Sequence, residues 1–468
     1  MKRKAICKMI NKSISNDILL SWSKKEGIST MQSIISWINE RNNTLFVNIK
    51  KISLSKCIGW NYDVNDGTIH NKNNSFFSIA GLRKLSNGFV YEQPIILQNE
   101  IGYLGILCKY IDGVLHFLMQ AKIEPGNLNC IQLSPTIQAT KSNFTQKHGG
   151  EKPAYLEWFL AAKPENILVD QIQSEQSSRF LKKRNRNTIV ILSEKDLVEE
   201  LPSHKWMTLG QIKELMRLPN IVNMDTRTVI SCIPFSLMKS SVSEENPFLR
   251  SIFAKPNRET MVSIYKYIND LKMFNENRTE IIDLYSLSSW KMNKNCFSCE
   301  KNYPFKVIFC DIAIEGREVH HWCQPLFEAI GRALFVLVFS DDSNKREFLV
   351  RVTDEIGCFD VAEIGPTLQR EAVFDGDEDC VSLFIMDKLR VNKGIVFDNL
   401  LSEEGGRFYH EENRNVLIKI DKEELSELPS GYFWCDYATL NALCMVNNTL
   451  NIQLRNLLSL LEFDYEKN

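Results

Sequence analysis

Gln120, Lys122 and Glu124 alternate along the segment 116–124, HFLMQAKIE. Alternate side chains of a strand share one face, about 6.6–7 Å apart. An amide, an amine and a carboxylate would therefore project into one space, the equipment of general acid–base work. A solvated strand face carries the same residue types. Here, however, a Pro125-Gly126-Asn127 turn follows, then Gln132, Ser134, Thr136 and Gln138 on alternating positions. Neutral hydrogen-bonding side chains in that pattern suit a polyhydroxylated ligand. Lys122, Glu124 and Gln120 are the catalytic candidates; Asn127, Gln132, Ser134, Thr136 and Gln138 are candidates for binding.

A second constellation runs from Arg179 to Asn187 (RFLKKRNRN), with five cations in the eight residues 179–186. Guanidinium groups meet phosphate oxygens bidentately, so a diphosphate is the partner this run suits, although a solvated turn carries such charges too. Gln173, Ser174, Gln176 and Ser177 just ahead of it fit a sugar or nucleotide edge. Arg179, Lys183, Arg184 and Arg186 join the binding candidates, as does Tyr155. Asp225 and Arg227 are read either as an ion pair or as ligand contacts. His148-Gly149-Gly150 offers one imidazole on a turn. Cys296-x-x-Cys299 with His320, His321 and Cys323 has a single CxxC and no counterpart elsewhere in the chain, too little for zinc. Asp375-Gly-Asp-Glu-Asp379 lacks the spacing of a calcium loop. No metal site is expected. The sequence holds no G-x-G-x-x-G after a strand, no P-loop and no G-x-S-x-G, so no dinucleotide cofactor is expected either.

The elements that must position these residues occur twice. Thr30-Met31 through Asn39 returns as Thr260-Met261 through Asn269, and Trp60 returns as Trp290, a shift of 230. Gln93-Pro94 returns as Gln324-Pro325 at 231, and that register carries Glu124 to Glu355, Gly126 to Gly357 and Pro135-Thr136-x-Gln138 to Pro366-Thr367-x-Gln369. Beyond a three-residue loss the shift is 228. Arg179 then meets Arg407, Asn185-Arg186-Asn187 meets Asn413-Arg414-Asn415, and Trp206 meets Trp434. Seven of the fourteen positions from 174 to 187 are identical, against roughly one expected from average usage. A repeat of some two hundred residues is a domain rather than a solenoid unit. It divides the chain into 1–235 and 236–468, with a turn-rich linker near 233–257.

Within each copy a helix opens at Thr30, with Ile34, Ile35 and Ile38 at helical spacing. Strands are expected over 116–124 and 187–192, and a helix over 209–217 after Thr208. Strands and helices mix without a βαβ rhythm, so the fold class is α+β, a mixed sheet with flanking helices in each module. The second pocket would hold Arg351, Glu355, Thr367, Gln369, Arg407 and Arg414. Lys122 and Gln120 become Thr353 and Arg351 there, and Lys183 and Arg184 become Glu411 and Glu412. In the register that sets Leu209 on Leu440, Asp225 and Arg227 have no charged counterpart. The cation-rich copy is the first, and the chemistry is assigned to it.

At 468 residues the chain suits two domains. A formal charge of −2 gives no basic field for nucleic acid and no polybasic stripe for membrane. Thirteen scattered cysteines read as reduced thiols, the N-terminus has no apolar signal core, and Ala333–Phe339 is too short an apolar run to span a bilayer. A cytoplasmic protein is expected.

The segments 93–107 (QPII…EIGYLGIL), 116–145, 173–187 (QSEQSSRFLKKRNRN) and 206–232 (WMTLGQIKELMRLPNIVNMDTRTVISC) resemble the nucleotide-diphosphate-hexose 2,3-dehydratase family of deoxysugar pathways. GREVHHWCQPL (316–326) and ELPSGYFW (427–434) extend the resemblance into the second copy. It implies two Nudix-like modules, a homodimer, and dTDP-4-dehydro-6-deoxy-α-D-glucose as substrate. Water is lost across C2 and C3, giving a 3,4-diketo-2,6-dideoxy sugar nucleotide. No cofactor is implied, because a ketone already stands at C4. Glu124 would be the base and Lys122 the enolate stabiliser or the acid, with the second copy vestigial or binding nucleotide without turnover. The hydrolase's glutamate-rich metal helix is not visible. The rival readings are a non-catalytic nucleotide-sugar-binding protein and a Nudix-like nucleotide-sugar hydrolase.

Overall fold

The computed structural model describes residues 14–73, 76–86, 88–141, 152–238, 246–317, 319–342, 344–374, 376 and 378–463. His148-Gly149-Gly150 and part of the 375–379 acidic turn lie outside them. The first repeat opens with α1 (14–23) and α2 (Met31–Thr44). Thr30 caps α2 by accepting from Ser33 N, and Ile34 and Ile38 are its buried residues. Strands β1 (Val47–Ile52), β2 (Trp60–Asp63), β3 (Thr68–Asn71), β4 (Ser78–Ser86) and β5 (Phe89–Leu97) follow. Next come β6 (Gly102–Ile111), β7 (Val114–Ile123), β8 (Ile131–Ser134), β9 (Ile137–Ala139), α3 (Leu156–Leu160), β10 (Ile167–Ser174), β11 (Arg184–Ile191) and β12 (His204–Thr208). Thr208 and Gln211 then form a capping box for α4 (Leu209–Met216), and Asn223 caps α5 (Met224–Ser231).

The second repeat runs through the same series. It comprises α6 (Pro247–Ile252), α7 (Arg258–Met273), β13 (Arg278–Ile282), β14 (Trp290–Met292), β15 (Cys296–Cys299), β16 (Phe305–Ile314), β17 (His321–Ala329), β18 (Leu334–Ser340), β19 (Glu347–Thr353), β20 (Glu363–Gly365) and β21 (Leu368–Arg370). It closes with α8 (Cys380–Arg390), β22 (Ile395–Ser402), β23 (Phe408–Tyr409), β24 (Glu412–Lys419), β25 (Tyr432–Asp436), α9 (Tyr437–Cys444) and α10 (Ile452–Ser459). The expected linker therefore contains a short helix, α6, capped by Asn246.

Each repeat builds a larger mixed sheet, β10-β11-β6-β7-β12 in the first and β22-β24-β18-β19-β20 in the second, with a parallel pair (β11·β6, β24·β18) inside it. Ladder registers agree residue for residue: Leu107 opposes Leu118 as Val338 opposes Leu349. The two repeats are one mixed α/β fold used twice.

The smaller sheets are not confined to their own repeats. β1 of the first repeat pairs with β16 of the second, Val47 opposite Ile314, while β13 of the second pairs with β4 of the first, Arg278 opposite Leu85. The Trp60 indole donates to Cys323 O and the Trp290 indole to Glu92 O, so this exchange is reciprocal. A cut at residue 235 thus divides the chain but not the sheets. One hydrophobic core runs from Ile18 to Leu461 through both repeats, and a second joins Trp60 and Ile79 to Trp290 and Phe327.

Two turns lock the halves together. Gly126 N donates to Gly405 O at 2.7 Å, and Gly357 N donates to Ser177 O at 2.8 Å. A methyl group on Gly126 would lie 1.6 Å from Phe408 O, and one on Gly357 2.1 Å from Phe180 O. Two backbones in contact explain why glycine recurs at this position in both copies. Across the same interface, Arg227 donates to Ser402 O and Arg455 to Ser174 O, both guanidinium groups buried. Arg455 is the counterpart of Arg227 at shift 228. The register setting Leu209 on Leu440 is thereby corrected to Leu209 on Tyr437, because the caps Thr208 and Asp436 must coincide.

Candidate active site

β7 delivers Lys122 and Glu124 to a cleft of about 110 Å³, open to solvent, whose far wall is second-repeat chain. Lys122 Nζ lies 3.7 Å from Glu124 Oε1 and donates to Gln138 O at 3.0 Å. Gln138 Nε2 donates to Glu124 Oε1 at 3.2 Å, and the amide is held in turn by Asn223 Nδ2, 3.1 Å from Gln138 Oε1. The helix cap of α5 therefore fixes the orientation of the glutamate through one glutamine. The second repeat repeats the relay: Asn451 donates to Gln369 and Gln369 to Glu355, each at 2.8 Å.

The first repeat also contributes Lys183, Glu175 and Asp225 to the cleft, and the second contributes Arg317, Trp322, Gln324, Glu404 and Arg407. Arg317 reaches within 3.9 Å of Glu124 and donates to Ile123 O. Burial lowers the Lys183 ammonium to about 8, against Glu175, which supports its charge. Burial, then Glu175 and Glu404, pushes Asp225 well above the usual carboxylate range. The Glu404 side chain is half-buried but its carboxyl end is enclosed; burial and then Glu124 raise it to about 7. Asp225 Oδ1, Glu404 Oε2, Glu175 Oε2 and Arg407 Nε are enclosed without a hydrogen-bond partner. Unspent donors and acceptors around one opening are what a polar ligand requires.

The two copies of the arginine are exchanged relative to the sequence reading. Arg179 does not join Lys122: it sits in the second repeat's counterpart of the cleft, where Glu371 grips it at 3.1 Å through both oxygens and Glu411 lies 3.9 Å away. Arg407, expected in the second pocket, lines the first. Thr140 stands where Glu371 would be, and Arg407 instead covers the Phe77 ring and donates to Gly406 O. The cause is the interlocking of the turns, which carries the loop after β10 onto the second repeat and the loop after β22 onto the first.

Of the five cations in the basic run, Lys183 alone lines the first cleft. Arg184 stacks on Phe359, and Arg186 is paired bidentately with Asp170 on the adjacent strand, as Arg414 is with Asp398. Thr136 bridges the β6–β7 ladder by accepting from Leu107 N and donating to Leu118 O; Thr367 does the same for Val338 and Leu349. Their hydroxyls are consumed by the fold. The Tyr155 hydroxyl is taken by Glu199 O and Leu201 N. Gln132 and Ser134 are buried, bonded to Ser402 and Gln120, and Asn127 packs beside Gly405 at the interlocked turn. Gln120 faces a neighbouring cleft with Arg41 and Ser203, separated from Glu124 by the lysine. Its counterpart Arg351 lines the equivalent cleft of the second repeat, 3.2 Å from the Tyr432 hydroxyl. Glu355 lies among Glu363 and Glu371, and burial with those neighbours raises it to about 8.

Arg317, Trp322 and Glu404 were missed, and Arg407 was expected in the other pocket, because each copy's site was sought within that copy. Register did hold one signal: Glu404 falls on Gln176 and Asp225 on Gln453, ionisable in the first cleft and amides in the second. Among the described residues, the His, Cys, Asp and Glu side chains that converge closely enough to share an ion are Asp63, Asp66 and His70 on the β2–β3 hairpin, none of which lines the cleft. No helix among the described residues is long and apolar enough to cross a membrane.

An internally duplicated α/β protein with a lysine–glutamate pair in a cleft that also holds two guanidinium groups and a second lysine is built as an acid–base enzyme for an anionic, hydroxylated substrate. Comparison with known proteins supplies the family. The chain belongs to the NDP-hexose 2,3-dehydratase family, whose sequence model matches residues 31–233 and again 261–461. It is 35% identical over 436 residues to a protein of Saccharopolyspora spinosa named dTDP-4-dehydro-6-deoxy-alpha-D-glucopyranose 2,3-dehydratase, covering 90% of this chain and 89% of that one. Proteins of the same name from Streptomyces violaceoruber and Amycolatopsis orientalis are 34% and 32% identical, over 91% and 94% of this chain and 95% and 92% of theirs.

Proposed function

We propose that this chain removes water across C2 and C3 of dTDP-4-dehydro-6-deoxy-α-D-glucose, giving the 3,4-diketo-2,6-dideoxy sugar nucleotide of deoxysugar biosynthesis. The observation that carries this reading is the Lys122–Glu124 pair in the cross-repeat cleft, in a chain similar over nine-tenths of its length to proteins named for that reaction. The C4 ketone acidifies the C3 proton. Glu124, held by Gln138, takes that proton, and Lys122 faces the enolate oxygen that develops. Arg407, Arg317 and Lys183 supply positive charge for the diphosphate, and Asp225 an acceptor for a sugar hydroxyl. This role for Arg407 replaces the one read from sequence for Arg179.

The first module is the catalytic one on this reading. The second keeps Glu355 but has Thr353 for the lysine and an arginine already neutralised by Glu371. The likeness of each module to the Nudix fold belongs to the same proposal, supported by a mixed sheet with a parallel inner pair and flanking helices. So do the homodimer and the cytoplasmic location, to be tested by light scattering and by fractionation. Incubating the pure protein with the 4-keto sugar nucleotide and weighing the product decides the function. A product lighter by one water is expected; release of dTMP would indicate a hydrolase, and tight binding without turnover a binding protein.

A further inference from the structure

We propose that Glu404, contributed by the second repeat, is the acid that protonates the departing C2 hydroxyl while Glu124 of the first repeat takes the C3 proton. The assignment rests on the dehydration reading above and adds a residue to it. Gly406 N donates to Glu404 Oε1 at 2.9 Å. A methyl group on Gly406 would lie 2.4 Å from that oxygen and 3.4 Å from Glu124 Oε1. The two carboxyl groups thus flank one small volume that a glycine keeps open. Glu404 Oε2 is enclosed there without a protein partner.

The internal duplication supplies the comparison. Glu404 and Gln176 occupy the same position in the two copies of the loop, as do Glu124 and Glu355 in the two copies of β7. The second cleft therefore keeps a base but has an amide in place of the acid, and an amide cannot hand over a proton. Glu124, Glu175 and Asp225 crowd Glu404 with negative charge, while Arg407 and Lys183 oppose them. Burial and then Glu124 outweigh the arginine and keep the Glu404 carboxyl protonated up to about 7.

The step balances. The C3–H bond breaks, its proton goes to the Glu124 carboxylate, and the electron pair forms the enolate with the C4 ketone. The ketone re-forms as the C2–O bond breaks, and that oxygen leaves as water with the Glu404 proton. Glu124 then returns its proton to C2 of the resulting enol, whose C3 hydroxyl proton goes to Glu404. The diketone departs, and both carboxyl groups regain their starting states.

The test is E404Q in the full-length protein, read by three assays: turnover of the 4-keto sugar nucleotide, dTDP binding by calorimetry, and deuterium exchange at C3 in heavy water. Turnover is expected to fall roughly 10²-fold or more, the scale for a positioned acid. dTDP affinity should stay within a few-fold, and exchange at C3 should persist uncoupled from water loss. E124Q, by contrast, should abolish exchange. Turnover by E404Q within a few-fold of wild type overturns the assignment, as does loss of exchange in step with turnover. Should E404Q fail to bind dTDP, E404D decides: it keeps an acid one methylene short and is expected to turn over at least about tenfold faster than E404Q. Equal rates for the two overturn the proposal. A wild-type protein that leaves the substrate intact refutes the dehydration reading itself, a distinct outcome.

Discussion

Thr140→Glu should turn the first cleft into a copy of the second. Thr140 and Glu371 are equivalent at shift 231, and Glu371 holds the Arg179 guanidinium through two contacts of 3.1 Å. A glutamate at 140 would reach Arg407 in the same way and withdraw it from the diphosphate. A hydrogen bond to a charged group is worth about 1.5–3 kcal/mol, so losing that contact should weaken dTDP binding roughly 10- to 100-fold, at about 1.4 kcal/mol per decade. Repulsion between the new carboxylate and the phosphates adds to the loss. Calorimetric titration with dTDP measures it, with Thr140→Gln as the neutral control of similar size, expected within a few-fold of wild type. Unchanged affinity in Thr140→Glu, or equal weakening by both substitutions, would refute the assignment of Arg407 to the diphosphate.

Lys122→Ala and Glu124→Gln should each lower turnover by roughly 10²-fold or more, whereas Thr353→Ala and Glu355→Gln should leave it within a few-fold; steady-state rates with the 4-keto substrate show which cleft works. Gly126→Ala should destabilise the fold by several kcal/mol and release the repeats from each other, because its methyl group meets Phe408 O at 1.6 Å; thermal unfolding would register this as an early transition or as failure to fold. Glu355 carries a pKa raised to about 8 in the folded chain, so between its unfolded value near 4.5 and that point the native state holds a proton the unfolded chain has released. Its contribution to stability is therefore full below about 4.5 and is lost as pH rises toward 8. Glu355→Gln should flatten that slope in denaturant titrations across the range; an unchanged slope would place the proton elsewhere.

Much of the fold was legible because its causes are local or periodic. The Thr30 and Thr208 caps, the alternation over 116–124 and the recurrence of Gly126 at Gly357 each follow from backbone requirements that a sequence displays directly. Alternation also put Lys122 and Glu124 on one side of β7, where the cleft opens. The same rule failed at Thr136, since a face of hydrogen-bonding side chains looks alike whether the partner is a ligand or the neighbouring ladder. It failed likewise at Arg186, whose cross-strand partner Asp170 became visible only once β10 and β11 were paired.

The sequence by itself determined that the molecule is one domain written twice, and it placed the acid–base candidates in the first copy. What it left open is which copy's loop completes which cleft. A strand's residue pattern records that one face is buried, not against which chain segment, so nothing in Val47–Ile52 or Arg278–Ile282 reveals that each pairs outside its own repeat. Tertiary packing made that choice by bringing the backbones at Gly126 and Gly357 into contact with the opposite loops. It thereby sent Arg407 to the first cleft and Arg179 to the second.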